Sequence, residues 1–305
     1  MTETPDNATE RLPRTVAIAG LGLLGGSLGL ALRRRAPDVR VLAYARRSES
    51  IEQALQNGVI HRGDTKPEPI LAEADCTVIC MPISVTMDFV AGYAGAWKPG
   101  SVVTDVGSAK AAIMDACVEP LRHRGVQFVG SHPMAGKESA GQEYADADLY
   151  EGASVFVCCP ESASAEPSAR IESLWRAVGA HPVRIDPHRH DALVARTSHV
   201  LHLLSSVAAR QFPDDPLAVH STAGAFRDVT RIAASPPSMW TDIVCRNRAE
   251  VLAGLDELLK ALTDIQTLVR DGRWQQLKAE LLKGRDRRTQ WERQRAPEQE
   301  TDARG

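Results

Sequence analysis

Gly20, Gly22 and Gly25 follow directly on the apolar run Val16-Ala17-Ile18-Ala19 and precede Gly26-Ser27-Leu28-Gly29-Leu30-Ala31-Leu32. A bare GxGxxG is weak evidence, but between a strand and an apolar helix it is a turn suited to the pyrophosphate of a dinucleotide. Gly20 permits the tight turn, Gly22 lets the backbone approach the phosphates, and Gly25 lets the helix pack closely on the strand. The free N–H groups and positive dipole end of that helix then face the anion. Cofactor contacts are expected from Gly20, Gly22, Leu23, Leu24, Gly25 and Pro82. About twenty positions past the turn, where an acidic residue would bind a ribose 2′-hydroxyl, stands Ala45, followed by Arg46, Arg47 and Ser48. A carboxylate would repel a 2′-phosphate, whereas a guanidinium pairs with it bidentately, so these positions favour NADP, with NAD possible.

A second set of chemistry-bearing residues is rich in histidine. His188, His190, Asp191, His199 and His202 could suggest zinc, but no cysteine or further carboxylate completes a familiar ligand spacing. No metal site is expected. His199 and His202 are three residues apart on a predicted helix, hence on one face.

These residues need elements to hold them. From Thr15 to about Asp186 short Val- and Ile-rich runs alternate with amphipathic stretches, the pattern of βαβ units around a parallel sheet. The strand candidates are Thr15–Ala19, Val39–Tyr44, Cys76–Cys80, Ser101–Thr104, Gln127–Gly130, Ser154–Val157 and His181–Ile185. Past Asp186-Pro187 nearly everything reads as helix, and Val251, Leu255, Leu258, Leu259, Leu262, Ile265 and Val269 lay one apolar stripe along a long one. The fold expected is therefore α/β, a Rossmann-type doubly wound parallel sheet over 15–186 followed by an all-helical domain over 187–290. So long a stripe on so small a domain calls for cover from a second subunit. Residues 1–14 and 291–305 are expected to be disordered tails, the latter because Lys283–Gly305 is charged and poor in apolar residues.

Composition narrows the partners. A formal net charge of −3 supplies no global field for nucleic acid or an anionic membrane, and no window reaches the ~18 consecutive apolar residues of a spanning helix. Six cysteines without paired CxxC spacing read as reduced thiols in a cytoplasm. Small molecules are the expected partners.

Three further segments carry a family resemblance: Thr104-Asp105-Val106-Gly107-Ser108-Ala109-Lys110, Gly130-Ser131-His132-Pro133-Met134-Ala135-Gly136-Lys137-Glu138-Ser139 and Phe226-Arg227-Asp228-Val229-Thr230-Arg231. With Thr197-Ser198-His199-Val200-Leu201-His202 between the last two, residues 15–290 resemble the prephenate and arogenate dehydrogenases of tyrosine biosynthesis. The resemblance implies oxidative decarboxylation: hydride leaves the ring carbon bearing the hydroxyl, carbon dioxide departs, and the ring becomes aromatic. It puts the catalytic histidine at His132, just past a predicted strand end, where a base near pKa 6.5 would take the hydroxyl proton. Ser108 would hydrogen-bond His132 or the substrate, with a helix N-cap as its structural alternative. Arg231 would hold a substrate carboxylate, unless it pairs with Asp228, and Ser198, His199, His202 and Glu138 would line the substrate site. Trp240 matches a position near the site and the subunit interface. The resemblance also implies a homodimer through the helical domain.

Two departures, Ala225 in place of a glycine and Leu201 in place of a proline, bear on fine specificity, and retention of His202 leans toward prephenate over arogenate. Other readings are another hydroxyacid or imine oxidoreductase of this architecture, or a non-catalytic dinucleotide sensor.

Overall fold

A parallel sheet covered on both faces needs apolar side chains at successive strand positions, and Val16 to Ala19 answer to this, each at most 1% exposed. The computed structural model, which describes residues 12–137, 141–159 and 165–295, contains strands β1 (Thr15–Ala19), β2 (Arg40–Tyr44), β3 (Arg62–Asp64), β4 (Cys76–Ile79), β5 (Val102–Asp105), β6 (Gln127–Phe128), β7 (Gly130–Pro133), β8 (Ser154–Cys158) and β9 (His181–Ile185). The first six form one parallel sheet in the order β3-β2-β1-β4-β5-β6. This is the doubly wound order, in which the chain reverses direction between β1 and β4 and the loops at their carboxyl ends part to open a crevice.

The helices that cover the sheet are α1 (Leu23–Arg35), α2 (Ser48–Gln56), α3 (Glu68–Leu71), α4 (Ile83–Tyr93), α5 (Ala111–Arg122) and α6 (Ala165–Ala177). Beyond them the chain is helical: α7 (Pro187–Val194), a π-helical turn (Ala195–His199), α8 (Val200–Arg210), α9 (Ala218–Ser221), α10 (Gly224–Thr230), a 3-10 turn (Arg231–Ala234), α11 (Pro237–Arg246), α12 (Arg248–Arg270) and α13 (Trp274–Arg295). Asp186 starts this region as an N-cap, its carboxylate accepting from the Arg189 N–H at 2.9 Å. The architecture is thus a Rossmann-like sheet domain followed by helices.

Three expectations change. The run Gln127–Gly130 is not one strand: the chain leaves the main sheet at Val129, and β7 begins a separate three-stranded sheet in which it runs antiparallel to β8. His132 accordingly lies inside β7, opposite Phe156, rather than past a strand end. The charged segment from Lys283 is helical as far as Arg295; the expected tail over 1–11 and 296–305 lies outside the described residues.

The described residues fall into two units that meet between Val251 and Leu252. Along α12 the apolar stripe is covered at Val251, which is buried, and half-covered at Leu255, Leu258 and Ile265, while Leu259 (59%), Leu262 and Val269 are exposed. No helix among the described residues is long and apolar enough to cross a membrane.

Candidate active site

The crevice between β1 and β4 is a cavity of about 370 Å³, walled by Gly22, Leu23 and Leu24 after β1, by Met81 and Pro82 after β4, by Gly107 and Ser108 after β5, and by Met239 and Asp242 of α11. Its phosphate end fits a dinucleotide. Gly20 has φ of +107°, and an added Cβ would meet the Cys80 carbonyl oxygen. A Cβ on Gly25 would be driven into the carbonyl oxygen of Gly20, whereas Gly22 opens onto empty space. No side chain caps the N-terminus of α1, and its first turn holds no acid, which leaves backbone donors and the positive dipole end for an anion. Asp242 closes the opposite wall, accepting from the backbone N–H of Ser84 at 3.0 Å and from its hydroxyl at 3.2 Å.

The strand that carries His132 is tied to β5 by buried polar groups. Asp105 accepts from the N–H of Gly107 at 2.8 Å and of Ser131 at 3.2 Å. Lys110 Nζ pairs with Asp105 and donates to the Ser131 carbonyl at 2.8 Å, with both charged side chains fully buried. Ser131 Oγ in turn accepts from Trp175 Nε1 at 3.0 Å and shares a hydrogen with Thr104 at 2.7 Å. Removing one member of such a buried pair leaves an uncompensated charge. Lys110, not Ser108, occupies the N-cap position of α5, so Ser108 is not the helix cap that its position suggested.

His132 is 8% exposed. Its Nδ1 lies 2.8 Å from His190 Nε2, and His190 Nδ1 lies 2.7 Å from Asp191 Oδ1. Asp191 also accepts from the backbone N–H groups of Lys110 at 2.7 Å and Ala111 at 3.0 Å. Burial pushes the Asp191 carboxyl up, but the bonds from His190 and those two amides outweigh it and hold the group below the usual carboxylate range. His132 moves far the other way from the expected base: burial first, then the proximity of His190, Lys110 and His199, push it well below 6.5. A base near 6.5 would need a solvated or carboxylate-paired ring, and this one is desolvated among cationic or potentially cationic neighbours. His190, Asp191 and Lys110 are the residues that sequence reasoning missed as one network. The first two were visible only as a possible zinc cluster.

The helical wall carries His199 and His202, both buried. They do share a face: His202 stacks on Trp240 with ring centroids 3.6 Å apart, and His199 meets the same indole edge-on at 6.2 Å. His199 sits in the π-helical turn, a widened turn frequent at functional sites, and burial pushes its ring down to about 4 against the opposing pull of Asp191. Ser198 beside it is half-buried. Arg231 is exposed at the head of its 3-10 turn, which packs against α8, while Asp228 lies 3.6 Å from Arg227. Arg46, Arg47 and Ser48 are exposed where β2 passes into α2; Asp64, at the end of neighbouring β3, opposes Tyr44. The structure thus brings His132 and His199 within electrostatic reach of each other, with the Ser108 main chain beside His199 and His202 stacked on the same indole; of these Ser108 lines the crevice, and Arg46 and Arg47 lie at the end of another strand. Glu138 lies outside the described residues.

Comparisons with known proteins bear on this site. Residues 28–184 match the family described as prephenate dehydrogenase, nucleotide-binding domain, and residues 186–283 match prephenate dehydrogenase, dimerization domain. Prephenate dehydrogenase of Bacillus subtilis is 32% identical over 263 residues, 84% of this chain and 70% of that one. The prephenate dehydrogenase of Aquifex aeolicus, solved with hydroxyphenyl propionate and NAD+, superposes with a TM-score of 0.84 at 27% identity over 91% of this chain and 98% of that one. Synechocystis arogenate dehydrogenase superposes with a TM-score of 0.78 at 25% identity over 91% and 99%. Matched over both its nucleotide-binding and its dimerization halves, the chain belongs to the prephenate dehydrogenase family.

Proposed function

We propose that this protein oxidatively decarboxylates prephenate to 4-hydroxyphenylpyruvate, working as a cytoplasmic homodimer through its helical region and preferring NADP. The observation that carries the chemistry is the His132–His190–Asp191 chain of hydrogen bonds. An ionised carboxylate can only accept, so His190 donates Nδ1–H to Asp191. In the neutral relay His190 Nε2 then accepts from His132 Nδ1–H, and His132 is left with a lone pair on Nε2. That lone pair takes the proton of the substrate hydroxyl as the carbinol carbon becomes a carbonyl. What the dinucleotide supplies, when bound, is an acceptor for the hydride from that carbon. The ring carboxylate leaves as carbon dioxide, its bonding pair moves into the ring and the carbonyl pair onto the oxygen, which takes the proton back from His132, and aromatisation draws the reaction forward.

His132 is a weak base when free, which keeps it neutral and ready at every pH above its lowered value. As it becomes an imidazolium, His190 accepts its Nδ1–H and the Asp191 carboxylate offsets the new charge. Ser108, lining the crevice, orients the hydroxyl. Arg231 holds a substrate carboxylate, with Ser198, His199, His202 and Glu138 around the ring. The NADP preference rests on the absence of a carboxylate at Ala45 and on two exposed guanidiniums, Arg46 and Arg47, beside it. Asp64 one strand away is the group that would oppose it.

The test is turnover of prephenate and of arogenate, each with NADP and with NAD, followed by absorbance of the reduced nicotinamide. Prephenate with NADP is expected to give the highest kcat/KM, and Arg46→Ala with Arg47→Ala to erase the preference for NADP. Absence of turnover with both substrates would remove the proposal.

A further inference from the structure

Asn247 lies between α11 and α12 and is 4% exposed. Its side-chain nitrogen is 2.9 Å from the main-chain oxygen of Asp191 and 3.1 Å from His199 Nδ1. The first contact fixes which end of the amide points this way, because an amide oxygen turned toward a carbonyl oxygen would find no hydrogen between them. An NH2 group has two hydrogens, one for each neighbour. An N–H aimed at His199 Nδ1 requires a lone pair there, and a neutral imidazole that is bare at Nδ1 carries its hydrogen on Nε2. His199 Nε2 is buried and has no hydrogen-bond partner among the described residues. A histidine kept only for packing would have both ring nitrogens satisfied; this one is held at one end, and at the other its donor faces the Ser108 main chain without the geometry of a hydrogen bond.

We infer that Asn247 is a positioning residue that locks His199 in its Nε2–H tautomer, presenting a hydrogen-bond donor to an oxygen of the substrate or cofactor. The assignment of that oxygen rests on the proposed function. The donor has the opposite sense to the lone pair at His132 Nε2, so a hydroxyl between the two rings would be held at both its hydrogen and its oxygen. The charged or titratable groups facing His199 are Asp191, His190 and His132. Burial outweighs the Asp191 carboxylate and keeps the ring neutral, while the Trp240 edge limits its rotation. Asn247 also binds the carbonyl of the residue whose carboxylate anchors the His132 relay, so both histidines are referred to Asp191.

The experiment is 15N NMR of the histidine rings in the full chain, with the His199 signal identified by its loss in His199→Gln. Between about pH 6 and 8 the wild type is expected to show protonated Nε2 and bare Nδ1. Asn247→Asp, nearly isosteric but an acceptor, is expected to move the hydrogen to Nδ1 and lower kcat on the order of 10²-fold, the usual cost of one lost site donor. Asn247→Ala is expected to give a mixture of tautomers, and it decides the matter with the wild type should the Asp variant not fold. A wild-type ring protonated at Nδ1, or a ring unchanged in the variants, overturns the inference. The tautomer is read without turnover, so it stands or falls independently of prephenate as substrate. A reversed ring with undiminished kcat/KM would remove the role in the site.

Discussion

Replacing His190 with leucine tests the relay at its middle link. The change removes the acceptor 2.8 Å from His132 Nδ1 and the donor 2.7 Å from Asp191 Oδ1. In the resting protein two buried polar groups lose a partner each, but Asp191 retains the amides of Lys110 and Ala111. The fold should therefore survive, weaker by roughly 1–3 kcal/mol for the stranded His132 N–H. In the transition state the loss is larger, because His132 is becoming cationic and a hydrogen bond to a charged group contributes about 1.5–3 kcal/mol. Only the excess over the resting-state loss lowers kcat; for a charge-assisted bond about twice as strong as a neutral one that is about 1–2 kcal/mol, a fall of roughly 5- to 30-fold, with little change in KM, since the lost contact does not touch substrate. Steady-state kinetics on His190→Leu, His132→Asn and the double variant make the assay. His132→Asn alone should cost about 10²–10⁴-fold. With no base left to serve, the second substitution should then add almost nothing, a strongly non-additive cycle. A kcat for His190→Leu within about threefold of wild type, or an equal loss in the His132→Asn background, would refute the relay.

Gly25→Ala should abolish dinucleotide binding by isothermal titration and lower the melting temperature as well, since the new methyl group has nowhere to go but into the Gly20 carbonyl. Acid should unfold the protein early. The His199 ring is held from 6.5 down to about 4, roughly 3 kcal/mol; above pH 6.5 this costs nothing, and between pH 6.5 and 4 the unfolded chain takes up a proton the native state refuses. Denaturant titrations should show stability declining across that window, and less steeply in His199→Gln. Leu259→Glu with Leu262→Glu should turn a dimer into a monomer by sedimentation, because each leucine removed from an interface forfeits about 1.5–3 kcal/mol and each carboxylate adds a desolvation cost.

What could be read from the sequence was local in origin. The phosphate turn needs only a strand, three glycines and a helix in succession, and these are contiguous from Thr15 to Arg35. Edge strand β3, Arg62-Gly63-Asp64, has no apolar run to announce it. The break between β6 and β7 is invisible because Val129 is as apolar as its neighbours and still donates to Val103 at 2.9 Å; only tertiary packing turns the chain out of the sheet. Helix α13 shows no clear apolar stripe, and its end, from residue 291, reads in the sequence as the start of a charged tail. It carries close pairs at i, i+3 and i, i+4, Glu280 with Lys283 and Arg288 with Glu292, and the Arg288 guanidinium lies 4.4 Å over Trp291. At the site, the motifs point to His132 and Ser108, but how far the His132 ring is pushed down does not follow from them, because burial is a property of the folded chain. Lys110 stood in a quoted motif without a role, and its role emerges only when Ser131 is brought alongside.

If His132 is the base, as proposed, the buried pair of Lys110 and Asp105 explains why a weak one can be tolerated at this place. Lys110 contributes to lowering His132, so it works against protonation of the base it helps to position. It is kept because it does something no apolar side chain could. Its Nζ binds the Ser131 carbonyl, while its own backbone N–H binds Asp191, so one residue connects the strand that carries the base with the helix that carries the relay. A methionine in its place would leave Asp105 buried without its partner and the Ser131 carbonyl without its donor, and the desolvation cost would fall on the strand that holds His132. In the proposed mechanism basicity is given up for registration: the His132 ring is held in place by its strand and by His190, and the missing proton affinity would be supplied at the moment of reaction by Asp191 through His190.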